Sequence, residues 1–225
     1  MVYRVMMLER ILEKQVMDGL EEARSYDAMD HSEPNQAVVN RLIELGAQGR
    51  MLDIGTGPGD IPIRIARRLE TARIVAVDLS EPMLAIARDK VAAAGFSDRI
   101  AVEFADAGRL PFANDSFDVV FSNTIVHHLP DPLPMLREVN RVSRPDGCLL
   151  IRDLYRPETT GRIDELVALH ADSEPDHQRM LRDSLHAAFT PDELQALADE
   201  AGLTGATVVI DTDRHMSLQR PMRQG

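Results

Sequence analysis

The sequence predicts an α/β fold built on a doubly wound, mostly parallel sheet of seven strands. A helical segment precedes the sheet, and a helical insertion comes before its sixth strand. Three observations carry this. Five β-rich apolar runs alternate with helically spaced apolar patterns between Met51 and Ile151, the order that buries a parallel sheet between two helix layers. The first run, Met51 to Ile54, leads through Gly55, Gly57 and Gly59 into the pattern Ile61, Ile63, Ile65, Ala66 and Leu69. Strand, glycine turn and helix bring a ligand against bare backbone amides and a positive helix N-terminus. Gly55, Asp78, Asp106 and Asn123 each follow one of the first four runs, so all four fall on the sheet edge where such folds bind ligands.

At 225 residues the chain fits one domain, 1–225, with a sizeable core. A formal net charge of −12 argues against a nucleic-acid backbone as the main partner and suits a neutral or cationic small molecule. Cys148 is the only cysteine and lies in an apolar run, so it reads as a small core residue that forms no intrachain disulfide. No apolar run is long enough to span a membrane, and the start is neither a secretory nor a transit segment, so the cytoplasm is the expected compartment. The sequence leaves the oligomeric state open, a homodimer included.

In chain order, Val5, Leu8, Leu12 and Val16 recur at helical spacing and predict an N-terminal helix. Met17 to His31 is acidic, with Tyr26 its only aromatic residue. Ser32-Glu33-Pro34 predicts a helix start, with Ser32 as the cap, and Gly46 ends that helix. Arg73 to Val77 is the second strand and Ile100 to Phe104 the third. Val119 to Ser122 is the fourth, and Cys148 to Ile151, after a turn at Arg144 to Gly147, the fifth. Arg162 to Ala188 reads as helical. Thr190-Pro191-Asp192-Glu193 is a capping box that opens the next helix. Thr207 to Ile210 and His215 to Leu218 are the last two strands.

The glycines are spaced G-x-G-x-G, with Asp60 where a dinucleotide fingerprint needs its last glycine. The three are expected to clear every Cβ from one face of the turn. Asp78 stands 23 residues after Gly55, close to the roughly 20 expected of an acidic residue that accepts from ribose hydroxyls. His127 and His128 follow the fourth strand. Adjacent histidines seldom point the same way, so no metal site is expected there, and an imidazole facing the cleft as base or substrate anchor is the favoured reading.

With Asp53 two residues ahead of Gly55, this turn resembles the first motif of the class I S-adenosylmethionine-dependent methyltransferases, in the broad branch of small-molecule enzymes that includes the ubiquinone and menaquinone type. Leu110-Pro111-Phe112 and Asp115-Ser116-Phe117-Asp118 resemble the loop before that family's fourth strand. The resemblance covers Ser32 to Leu154 well and the flanks loosely. It implies a Rossmann-like methyltransferase fold and S-adenosyl-L-methionine as cofactor. Asp106 and Ala107 match the positions that hold adenine. The implied cofactor set is Tyr26, Asp53, Gly55, Thr56, Gly57, Gly59, Asp78, Leu79, Asp106, Ala107 and Asn123. Residues 1–31 would form a lid that brings Tyr26 to the methionine end, with Asp53 and Asp60 near its amino group. Residues 156–189 occupy the slot of a substrate-side insertion. Candidate groups for proton removal are His127, His128 and Tyr26, then His31 and Tyr155. Quinone-like or sterol-like rings are one class of acceptor. The alternatives are an NAD(P)-dependent oxidoreductase, which Asp60 disfavours, and a silent cofactor-binding module that acts through a partner.

Overall fold

The computed structural model describes residues 8–13, 19–171 and 173–223. Strands β1 (Arg50–Ile54), β2 (Arg73–Asp78), β3 (Ile100–Phe104), β4 (Phe117–Asn123), β5 (Ser143–Leu154), β6 (Thr207–Ile210) and β7 (His215–Arg220) form one sheet in the order β3-β2-β1-β4-β5-β7-β6. The first five run parallel, and β7 is antiparallel to both β5 and β6. The chain moves outward from β1 through β2 to β3, then returns to β4 on the other side of β1. The carboxyl ends of β1 and β4 therefore flank the topological switch point, where a crevice opens.

Helices cover both faces because successive strand residues point to opposite sides. On one face Met51, Ile74, Ala76, Val119, Phe121 and Leu150 pack with Val38, Val39 and Leu42 of α2 (Ser32–Glu44), Ile65 of α3 (Asp60–Arg68) and Val91 of α4 (Glu81–Ala93). On the other, Leu52, Ile54, Val120, Leu149 and Ile151 meet Leu136 and Val139 of α5 (Leu133–Val142) and Leu194 of α8 (Pro191–Glu200). Phe117 and Phe121 are fully buried. Truncating either to alanine is worth about 3–5 kcal/mol, because the cavity adds to the lost transfer energy. Cys148 is buried in the first of these layers, as its apolar run implied.

Four local expectations change. Ser32 is the first residue of α2 rather than its cap; His31 holds the cap position, with no side-chain capping bond. Leu8–Glu13 is not helical; it is an irregular strap held by side chains far along the chain, while Val5 and Val16 lie outside the described residues. Arg10 donates to the carbonyls of His127, Leu129, Pro130 and Ala187 and stacks over the Phe189 ring, and Arg156 donates to the Leu8 carbonyl. These tertiary bonds outweigh a helical spacing that no sheet face absorbs. Arg144–Gly147 is not a turn; it extends β5 past an irregular register against β4. A Cβ on Gly147 would sit 2.7 Å from the Asp118 carbonyl oxygen, so glycine serves a close strand approach there. The helical stretch after Arg162 is two helices, α6 (Thr160–His170) and α7 (Pro175–Ala187). Pro175 opens the second because proline starts a helix readily but holds the residue before it extended.

Candidate active site

The glycine turn is fixed by its neighbour strand. The amides of Gly55 and Thr56 donate to the Val77 carbonyl at 2.8 and 2.9 Å, and that of Gly59 to Thr56 at 3.1 Å. All three glycines have positive φ, from 53° to 82°, which any other residue adopts at a cost. They do not clear one common face. A Cβ on Gly55 would strike Ile125 Cγ2 at 2.4 Å, and one on Gly59 would press Ala87 of α4 at 3.1 Å. One on Gly57 would meet nothing within 4 Å. Gly55 and Gly59 are small for packing, and Gly57 leaves the open side.

Around that opening stand the strand tips. Asp78 Oδ2 accepts from the Gly57 amide at 2.8 Å and Oδ1 from Ser80 at 2.9 Å, which aims the carboxylate across the turn. Leu79 beside it is 62% exposed, an apolar shelf. Asp106 Oδ1 accepts from the Gly108 amide at 2.8 Å, closing the tight corner that contains Ala107. Asn123 Oδ1 accepts from the Arg152 guanidinium at 3.1 Å. Thr124 follows with φ +55°, strained for a β-branched residue.

Below the turn, Asp53 is buried. Its Oδ2 and the Thr56 hydroxyl have no hydrogen-bond partner among the described residues. Burial first pushes the Asp53 carboxyl up to about 7, the nearby Thr56 hydroxyl opposes the rise, and the Asp78 charge adds to it. Asp60 is instead engaged by Lys90 Nζ at 2.8 Å, which also holds Asp27 at 2.7 Å. That clamp docks α1 (Leu20–Ala28) on α4. It sets Tyr26, stacked on His31, at the mouth. Its phenol is raised by burial and by the Asp60 and Asp78 charges, against a hydrogen bond to Thr124.

The fold is similar to that of a solved S-adenosylmethionine-dependent methyltransferase of Aquifex aeolicus (TM-score 0.67, 20% identity, 91% of this chain and 99% of that one). The family model described as a methyltransferase domain matches residues 51–147. The demethylmenaquinone methyltransferase of Roseiflexus castenholzii is 30% identical over 71% of this chain and 69% of its own. The chain belongs to the class I S-adenosylmethionine-dependent methyltransferases. The 27-O-demethylrifamycin SV methyltransferase of Amycolatopsis mediterranei is 36% identical over 72% of this chain. The chain spans about half the length of that relative, 56%.

The rest of this sheet edge joins the predicted His127 and His128 to partners that sequence reasoning missed, Asp153, Glu13 and Arg10. His127, in a 3₁₀ turn (Val126–His128), is buried, and its Nδ1 lies 2.6 Å from Asp153 Oδ1 at the tip of β5. Burial opposes the imidazolium, but the Asp153 carboxylate outweighs it and holds His127 above the ordinary imidazole range. Burial likewise opposes the Asp153 anion, and the His127 contact prevails and holds its carboxyl low. Half-exposed His128 places Nδ1 2.5 Å from Glu13 Oε2. The Glu13 carboxyl, pushed up by burial, is brought below its usual range by that contact, and its Oε1 accepts from the Ser184 hydroxyl at 2.6 Å. Asp153 had a signal, an acid closing an apolar strand run. Glu13 and Arg10 had none, because nothing local ties them to residues more than 100 positions away.

A cavity of about 370 Å³ adjoins this group between α1 and α7. Tyr26, Met29, Met180, Ser184, Glu13 and Glu22 are among its lining residues. Tyr155 and His31 stand apart from the histidine pair: the Tyr155 hydroxyl donates to the Asp213 carbonyl, and His31 stacks on Tyr26. Among the described residues no helix is long and apolar enough to cross a membrane.

Proposed function

We propose that this protein transfers a methyl group from S-adenosylmethionine to a small-molecule acceptor held in the cavity between α1 and α7. The observation that carries the reading is the convergence on one edge of the open Gly57 side, the Asp78 carboxylate and the unpartnered Asp53 Oδ2. The residues fit the cofactor. Asp78 has lone pairs left for two ribose hydroxyls, Leu79 and the Asp106–Ala107 corner suit an adenine, and Asp53 with Thr56 would meet the methionine amino end. Tyr26 on the clamped α1 would close over that end, and Asn123 and Gly59 would shape the floor.

When bound, the cofactor supplies an activated methyl on a sulfonium with a good leaving group. The chain's own work is then placement and exclusion of water, worth about 7–11 kcal/mol in well-oriented systems. Lys90 holds the lid helix down, Arg10 holds the strap across the His127 turn, and Glu13, which lines the cavity, links it to His127 and His128.

The net charge of −12 favours a small acceptor over a polyanionic one, and a cytoplasmic setting belongs to the same proposal. The relatives named above methylate a quinone precursor and a rifamycin by their names. A mostly apolar ring compound with one polar acceptor atom is the class this reading takes. Incubating the protein with methyl-labelled S-adenosylmethionine and a metabolite extract tests it. Label should enter a small organic product with wild type and fall at least tenfold with Asp78→Ala. No labelled product from any extract overturns the proposal.

A further inference from the structure

Glu13, His127 and His128 place one ligand atom each within 4.8 Å of one another. We propose that they form a divalent-cation site of the zinc class, with the acceptor side of the cavity as its open position. The donor set, two imidazoles and one carboxylate, is that of a three-ligand catalytic centre. Two atoms each about 2.1 Å from a common ion lie at most about 4.2 Å apart. The His127 Nε2 to Glu13 Oε1 separation is 3.8 Å, too long for a hydrogen bond and inside that limit, while the 4.8 Å span that bounds the set exceeds it, so ligation draws the three groups slightly together.

The ligands are held from behind. Asp153 Oδ1 accepts the His127 Nδ1 proton at 2.6 Å, which fixes the ring orientation and turns Nε2 toward Glu13. Ser184 seats Glu13 Oε1, and the four carbonyl contacts of Arg10 fix the strap that carries Glu13. His128 is 44% exposed on its side chain and can turn the fraction of an ångström that ligation needs. The ion would displace the proton shared by His128 Nδ1 and Glu13 and the proton on His127 Nε2, and both would be released to solvent. Glu13 also lines the cavity, so the remaining coordination position faces the chamber where an acceptor oxygen or nitrogen would bind. This site does not depend on the methyl-transfer reading, since it is defined by its own three ligands.

The test uses tag-free, chelator-treated full-length protein titrated with zinc and with cobalt(II). One equivalent should bind, and cobalt should give the visible d–d bands of a low-coordinate nitrogen and oxygen site. Glu13→Gln and His128→Ala should each weaken binding at least tenfold. His170→Ala, which removes a histidine paired with Asp213 elsewhere, should change it less than twofold. Far-ultraviolet circular dichroism and thermal unfolding of the same variants show that each remains folded. No stoichiometric cobalt or zinc in the wild type, or equal binding by the Glu13 and His128 variants, overturns the site.

Discussion

The carboxylate of Asp78 lies 2.8 Å from the amide of Gly57. One side chain thus joins the tip of β2 to the open member of the glycine turn. Asp78→Ala removes both that brace and the proposed acceptor for the ribose hydroxyls. Cofactor affinity should fall by more than about 1.5 kcal/mol, roughly tenfold or more, since a charge-assisted pair is lost. Calorimetry on the folded variant checks this, and an unchanged affinity would remove Asp78 from the site.

The three glycines should separate under substitution. Gly55→Ala forces a Cβ to within 2.4 Å of the branched Ile125 side chain at φ +74°, so a loss of about 2–4 kcal/mol in unfolding free energy is expected. Gly57→Ala meets open space at φ +53° and should cost only about 1 kcal/mol of stability. It should weaken the cofactor more than Gly55→Ala does per unit of stability lost. Urea unfolding beside cofactor titration distinguishes the two, and equal profiles would refute the division between packing and ligand roles.

Asp53 gives a pH dependence of known sign. Its carboxyl is raised from 3.8 to about 7 in the fold. Between those values the unfolded chain has released a proton that the fold still holds, so stability falls as pH rises through this window. The penalty, on the order of 4 kcal/mol, is complete above about pH 7. Asp53→Asn removes it, so the variant should gain on wild type steadily from about pH 4 to about pH 7. A wild-type-minus-variant difference that stays flat across this range would show that Asp53 is not raised.

Lys90 holds Asp27 and Asp60 with side chains about a third exposed. Lys90→Met should therefore cost at most about 1 kcal/mol globally. Its effect should be local: amide exchange in α1 should quicken severalfold while α2 is unchanged, because the clamp is what docks α1 on α4. Hydrogen-exchange mass spectrometry reads this directly. Identical α1 exchange would mean that apolar contacts alone seat α1.

The strands and the glycine turn were legible because each is a local event. A short apolar run, a Gly-rich break and a 3.6-residue pattern need no partner to be recognised. The Asp78 and Asp106 positions followed from strand ends alone. The Arg144–Gly147 extension was not legible, since glycine and proline mark turns locally and only the Asp118 carbonyl opposite shows that Gly147 serves a strand. The break at Pro175 was written in the chain, yet the helical spacing on either side masked it.

By itself, then, the amino-acid order determined the alternating layers, the bare turn after β1 and the acids at neighbouring strand tips. Tertiary packing decided which glycine faces the crevice, that Asp60 is held by Lys90, and that Glu13 reaches a histidine pair over 100 residues away. The reason is physical: propensity and periodicity act over a few residues, whereas a desolvated carboxylate or imidazole is settled by whichever partner the fold brings within about 3 Å.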